Sequence, residues 1–121
     1  MLLDTCIAID WLRGKTPASS FISSLGDKPS VAVVTLAEVF HGLKSQRAET
    51  AARIFFSRCD LRGVNPVIAE AAGTHLRHYR ASHGTEWADA LIAATAEHHG
   101  LELATLNVKH FPMFKRLKAA Y

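Results

Sequence analysis

Eleven residues of the chain are Asp or Glu, and three of them stand in strongly apolar surroundings. Asp4 follows Leu2-Leu3, Glu38 lies within Val33-Val34-Thr35-Leu36-Ala37-Glu38-Val39-Phe40, and Asp89 lies within Trp87-Ala88-Asp89-Ala90-Leu91-Ile92. A fourth polar group, Asn107, follows the apolar run Leu101–Thr105. Three carboxylates brought close together repel one another, and partial burial costs several kcal/mol for each unpaired charge. A divalent cation removes that conflict. Hard oxygen donors without His or Cys select Mg²⁺, with Mn²⁺ as a possible substitute, over zinc. The matching chemistry is phosphodiester hydrolysis, in which the metal makes water a better nucleophile and neutralises charge on the phosphorus-bound oxygens.

Each residue also has a plainer reading. Asp4 can N-cap the helix that follows it. Thr35-Leu36-Ala37-Glu38 matches the S/T-x-x-E capping box, which would spend Glu38 on its own helix. Asp89 in a first turn favours the helix dipole. Asn107 can be a turn residue. Only a shared placement makes the set informative. Glu86 is either a further ligand or a helix-start charge, and His75 with His78 has clamp spacing but no evident third ligand. Arg13, Lys15, Lys44, Arg47, Lys109, His110, Lys115 and Arg116 either flank the acidic edge and hold a nucleic-acid backbone or are ordinary surface charge.

The positioning elements alternate between strand and helix. Leu2–Asp4 reads as a very short strand, and Ile7, Trp11 and Leu12 share a helical face that ends at Gly14. Pro17 opens a short helix closed by Gly26. Ser30–Val34 is uniformly apolar, as a strand buried on both faces is. Helices are expected over Thr35–Leu43, Gln46–Arg58, from Asn65-Pro66 to about Ala81 with Asn65 as N-cap, and over Glu86–His98. Strands are expected over Leu61–Val64 and Leu101–Thr105. This order predicts an α/β fold, a three-layer α/β/α sandwich around a short parallel sheet. Such sheets bind ligands at the carboxyl ends of their strands. Asp4 and Asn107 then follow strand ends while Glu38 and Asp89 fall in first turns of helices, so all four converge on one edge.

The chain has 121 residues, 49% of them hydrophobic and 21% charged. That fits one domain with a real core, spanning residues 1–121, and excludes a disordered chain. The net charge of +3 allows a polyanionic partner without demanding one. Cys6 and Cys59 are far apart, in no metal-type spacing, and read as free thiols of a reducing compartment. No apolar run reaches the ~20 residues a bilayer needs, and no basic-then-apolar leader is visible. The expected setting is the cytoplasm, without a membrane.

At the same residues the chain resembles the PIN-domain family, and more narrowly the VapC toxins of type II toxin–antitoxin pairs. The resemblance runs through Leu3-Asp4-Thr5, Thr35-Leu36-Ala37-Glu38-Val39, Ala88-Asp89-Ala90-Leu91-Ile92-Ala93-Ala94-Thr95-Ala96 and Ala104-Thr105-Leu106-Asn107-Val108-Lys109-His110-Phe111. It implies an Mg²⁺- or Mn²⁺-dependent endoribonuclease acting on tRNA or rRNA. Asp4, Glu38 and Asp89 become its metal ligands. Asn107 stands where relatives carry Asp or Asn, and lacking charge it would orient water or a ligand and leave any second metal weakly bound. Thr5 matches a hydroxyl that neighbours the site, and Cys6 occupies a position where relatives carry Asn or Ser. Thr5, Thr105, Arg13 and Lys109 are expected to position substrate or water. The resemblance also implies a homodimer and a VapB-like antitoxin that covers the site.

Two other readings stand beside it. A receiver-like signalling module also holds Mg²⁺ beside a strand, but it needs an acidic pair after the first strand and an acceptor Asp in the middle of the sheet. Asp4 is followed by Thr5, and Ser30–Val34 ends without Asp. A PIN-type nuclease acting on DNA would use the same metal chemistry, since contacts to the 2′-OH and to substrate shape are what discriminate RNA.

Overall fold

The computed structural model describes residues 1–121. The elements run β1 (Leu2–Leu3), α1 (Thr5–Leu12), α2 (Thr16–Ser24), β2 (Ser30–Ala32), α3 (Val33–His41), α4 (Gln46–Ser57), β3 (Asp60–Arg62), α5 (Pro66–His83), α6 (Trp87–His99) and β4 (Leu103–Ala104), followed by a 3₁₀ turn over Val108–His110. The strands form one sheet in the order β3-β2-β1-β4, and every pairing is parallel. This is the expected three-layer sandwich.

The strands are only two or three residues long, yet each apolar residue of β1, β2 and β4 has an assigned face. Leu3 stands beside Val31 and Ala104 in the register. These three pack with Ile7, Ala8, Ala52, Phe55 and Phe56 from α1 and α4. Leu2, Ala32 and Leu103 point the other way, onto Ile92, Ala93 and Ala96 of α6 and onto Phe111. The alternation of side chains along a strand thus builds two cores from a four-stranded sheet. A third core, Ile68, Ala72 and Leu76 against Ala90 and Ala94, locks α5 to α6.

The chain winds outward from β1 through β2 to β3, then α5 and α6 carry it back so that β4 pairs with the opposite side of β1. The strand order therefore reverses between β1 and β4, which is where open parallel sheets form their ligand crevice.

Several expected boundaries move, β3 to Asp60–Arg62 from Leu61–Val64 and β4 to Leu103–Ala104 from Leu101–Thr105, and one shift bears on the site. The run Ser30–Val34 is strand only to Ala32, and helix α3 starts at Val33. The β-branched pair Val33-Val34 reads as strand by propensity, but packing decides: Val34 turns onto the α6 side of the sheet. Ala32 is the N-cap, with no side-chain cap. Thr35 thus lies inside the first turn and Glu38 in the second. The capping-box reading of Thr35 and Glu38 and the first-turn placement of Glu38 are both wrong. No helix is long and apolar enough to cross a membrane.

Candidate active site at the carboxyl edge of the sheet

Asp4 sits at the strand-order reversal. Its backbone N–H donates to the Ala104 carbonyl at 2.9 Å, which continues the β1–β4 ladder by one step, and its side chain is almost wholly buried. Oδ1 accepts from the Thr5 N–H at 2.7 Å, so Asp4 does cap α1. Oδ2 accepts from the Thr105 hydroxyl at 2.6 Å and from the Cys6 thiol at 3.3 Å. The N-cap and active-site readings of Asp4 are compatible because they use different oxygens.

Thr105 is itself fully buried. Its hydroxyl donates to Asp4 and accepts from the Asn107 N–H at 2.9 Å. This fixes the loop after β4 against Asp4. Asn107 is brought to the site by its backbone, and its exposed amide makes no hydrogen bond within the protein.

The Thr5 hydroxyl donates to Glu38 Oε1 at 2.6 Å and lies 3.0 Å from the Thr35 hydroxyl. From sequence Thr35 reads only as the first residue of a capping box; with α3 starting at Val33 its side chain lies inside the first turn and faces Thr5 instead.

Asp89 is in the first turn of α6, as expected. Its Oδ2 accepts from the Glu86 N–H at 2.9 Å and lies 3.2 Å from His110 Nδ1. The structure gives Glu86 the N-cap position of α6. Asp89 Oδ1 and Glu38 Oε2 accept no protein hydrogen bond.

The electrostatics agree with a crowded acidic edge. Burial pushes the Asp4 carboxyl above the usual range, hydrogen bonds from Thr105, Cys6 and Thr5 oppose this, and the charge of Glu38 adds to it. Burial also raises Asp89, against the Glu86 N–H and His110, and the charge of Asp4 raises it further. Burial pushes the Cys6 thiol up to about 11. Cys6 is therefore a protonated donor at neutral pH, not a thiolate ligand.

The basic residues divide. Arg13 and Lys44 line a 350 Å³ cleft together with Glu38, Ile9, Leu12 and Val39. Lys109 is exposed on the 3₁₀ turn beside Asp89's partner His110. Lys15 is held by Asp10 at 3.0 Å. Lys115 and Arg116 instead line a cleft with Met1, Leu101 and Leu103, at the amino ends of the strands, so they do not flank the acidic edge. The packing of the terminal segment, with no periodicity to announce it, decides this. His75 pairs with Glu97 of α6, which gives it a role without a metal.

No three His, Cys, Asp or Glu side chains stand close enough together to form a finished metal cage. The donor set nevertheless fits a hard cation. It offers carboxylate oxygens with free lone pairs, on groups whose negative charge burial and mutual repulsion disfavour.

The PIN domain matches residues 1–118 of the chain. Ribonuclease VapC10 of Mycobacterium tuberculosis is 39% identical over 124 aligned residues, covering 100% of this chain and 92% of the relative. Ribonuclease VapC19 of the same organism is 37% identical, with 99% and 98% coverage. Among solved structures, a toxin–antitoxin complex from Klebsiella pneumoniae contains a chain that superposes with a TM-score of 0.83 at 29% identity, over 99% of this chain and 97% of that one. FitAcB from Neisseria gonorrhoeae gives 0.67 at 26% identity, with 91% and 89% coverage.

Proposed function

The chain belongs to the PIN-domain family and is a nuclease of its VapC branch, and from that premise we propose that it is an Mg²⁺-dependent endoribonuclease, the toxin half of a VapBC-type pair. The observation that carries the proposal is the hydrogen-bonded frame around Asp4 and Glu38. Thr105 and Cys6 hold one oxygen of Asp4, Thr5 bridges to Glu38, and Asp89 stands near enough for its charge to feel Asp4.

Asp4, Glu38 and Asp89 would hold the cation. When bound, Mg²⁺ supplies a more acidic water and offsets negative charge on the scissile phosphate, and Mn²⁺ can substitute. The chain's own residues do the positioning. Thr105 and Thr5 aim the two carboxylates. The exposed amide of Asn107 orients water without adding charge. Arg13, Lys44 and Lys109 neutralise backbone phosphates on either side of the acidic edge. Structured RNA such as tRNA or rRNA is the proposed substrate class, in the cytoplasm.

The antitoxin follows from the same surfaces. A VapB-like segment places a basic side chain against the carboxylates and its apolar residues in the cleft at Ile9, Leu12 and Val39. The toxin itself is proposed to be a homodimer.

The test is cleavage of tRNA, rRNA and matched DNA by the purified chain, with Mg²⁺ and with EDTA. RNA cleavage that EDTA abolishes, and that Asp4→Ala or Asp89→Ala removes, is expected. A preference for DNA, or undiminished cleavage by either variant, overturns the proposal.

A further inference from the structure

Trp87 is the first residue of α6, two positions before Asp89, and its side chain is 58% exposed. It belongs to none of the three cores. An exposed indole is a flat apolar face on which a base can stack, and this one lies two residues from Asp89.

Its position supplies one. On α6 the stripe Ala94, Leu91, Ala90 packs against α5, and one turn earlier that stripe reaches Trp87. On α5 the facing stripe Ile68, Ala72, Leu76 continues to Tyr79, Arg80 and His83. Only Gly84–Glu86 separates the two helices, so the C-terminal turns of α5 and the start of α6 form one shelf. Gly84 makes the sharp connection in the left-handed region, at φ 67°. Arg77 and Arg80 are exposed and form no ion pair. Tyr79 lies among the rings of His75, His78 and His83, at centroid distances of 5.8–6.2 Å. Unpaired guanidinium groups on the helix end next to the exposed indole of Trp87 suit an unpaired polynucleotide. The cations follow its phosphates, and a base stacks on the ring.

We propose that the shelf formed by Trp87, Arg77 and Arg80 is a subsite for an unpaired stretch of RNA flanking the scissile bond, with one base stacked on the Trp87 indole. The subsite rests on the ribonuclease reading for its purpose, but it can be tested by binding alone. Trp87 and Asp89 lie on different sides of the first helical turn. The stacked base therefore belongs to a nucleotide other than the cleaved one, and because every base has a π-face the shelf holds the strand without selecting its sequence. Asn65, Lys109 and the cleft at Glu38 lie outside it.

The probe is a 2′-O-methyl oligoadenylate of about ten nucleotides, in EDTA, where no cleavage can occur. The chain has two tryptophans. Trp11 is packed against Phe55 at 5.3 Å, so quenching of solvent-exposed emission reports Trp87. Quenching by the probe is expected. Trp87→Ala should weaken binding roughly 5- to 150-fold, the range for loss of one base–aromatic stack, while Trp87→Phe restores most of it. Arg80→Gln should lower the salt dependence, and Trp87→Ala should leave it unchanged. Equal binding by Trp87→Ala, or absence of quenching, overturns the proposal. So does loss of self-association in Trp87→Ala with probe binding intact, since the ring would then belong to a protein interface. The two readings fail separately. Wild-type cleavage of RNA without probe quenching removes the shelf alone, and probe binding without cleavage removes the ribonuclease alone.

Discussion

Asp4→Asn separates the stability of this site from its activity. The amide is nearly isosteric with the carboxylate. Its oxygen still accepts the Thr5 N–H now at 2.7 Å, and its NH₂ can donate to the Thr105 hydroxyl now at 2.6 Å, whose own proton then turns toward Cys6 Sγ at 3.9 Å. The Cys6 thiol loses an acceptor at 3.3 Å, a weak contact. Against these small changes stands the removal of a buried charge. The Asp4 carboxyl sits above its ordinary range even with three donors pointed at it, so burial and Glu38 outweigh the hydrogen bonds. Neutralising it should stabilise the metal-free chain at neutral pH by about 0.5–2 kcal/mol, the usual gain when a strained functional group is relieved. For a chain of 121 residues that is a Tm increase of roughly 2–8 °C. Mg²⁺ should reverse the ranking. It stabilises the wild type, by about 2.7 kcal/mol at a hundredfold excess over Kd, and leaves Asp4→Asn unchanged. The assay is thermal unfolding at pH 7 with EDTA and with Mg²⁺, beside RNA cleavage, which the variant should lose. A variant less stable than wild type in EDTA, or one stabilised equally by Mg²⁺, would refute the reasoning.

Three further outcomes follow from the same geometry. Glu38→Gln should change stability by no more than about 0.5 kcal/mol, because Glu38 caps nothing, yet cut cleavage at least about 10-fold; urea unfolding and initial rates check this. Thr105→Val removes the donor from Asp4 and the acceptor from the Asn107 N–H, costing about 1–3 kcal/mol. With the charged form of Asp4 less favoured, the acidic limb of the cleavage–pH profile should also move upward. In EDTA, the stability that Asp4 and Asp89 contribute in their protonated forms is complete below their unfolded value of about 3.9 and is lost as pH rises through their higher folded values. The advantage of an Asp4→Asn/Asp89→Asn double variant over wild type should therefore grow between about pH 4 and neutrality, measured by denaturant unfolding.

The sequence carried the site's acids further than its support. Asp4 and Asp89 were legible because each breaks an apolar run at a place the alternation of strand and helix assigns to one edge. Convergence followed from parallel topology, since β1 and β4 must end on the same side. What remained hidden was the hydroxyl frame. Thr5 and Thr105 were expected at the site as positioners of substrate or water, but that their hydroxyls hold the carboxylates of Glu38 and Asp4 became visible only once the register made Leu3 the partner of Ala104. The reading of Glu38 failed for a related reason. A capping box is a four-residue pattern, whereas the start of α3 is decided by which side of the sheet Val34 packs on, and no local pattern contains that information. Lys115 and Arg116 failed likewise, because the terminal segment has no period from which to infer its path.

This difference bears on how the site works. The carboxylates sit on three separate pieces of chain: the end of β1, the second turn of α3 and the first turn of α6. None of these pieces can fix the others by local geometry. The threonine hydroxyls are the joints. Thr105 ties the loop after β4 to Asp4, and Thr5, one residue past Asp4, ties α1 to Glu38 of α3. Asp89 alone is held by its own helix start and by His110 instead. Two acids are thus aimed through buried hydroxyls and the third through an exposed turn. If the three hold a cation as proposed, Asp89 is the ligand whose position is set by contacts at the helix start and not by a buried hydroxyl. It is also the end of α6 on which Trp87 stands, next to the basic C-terminal turns of α5.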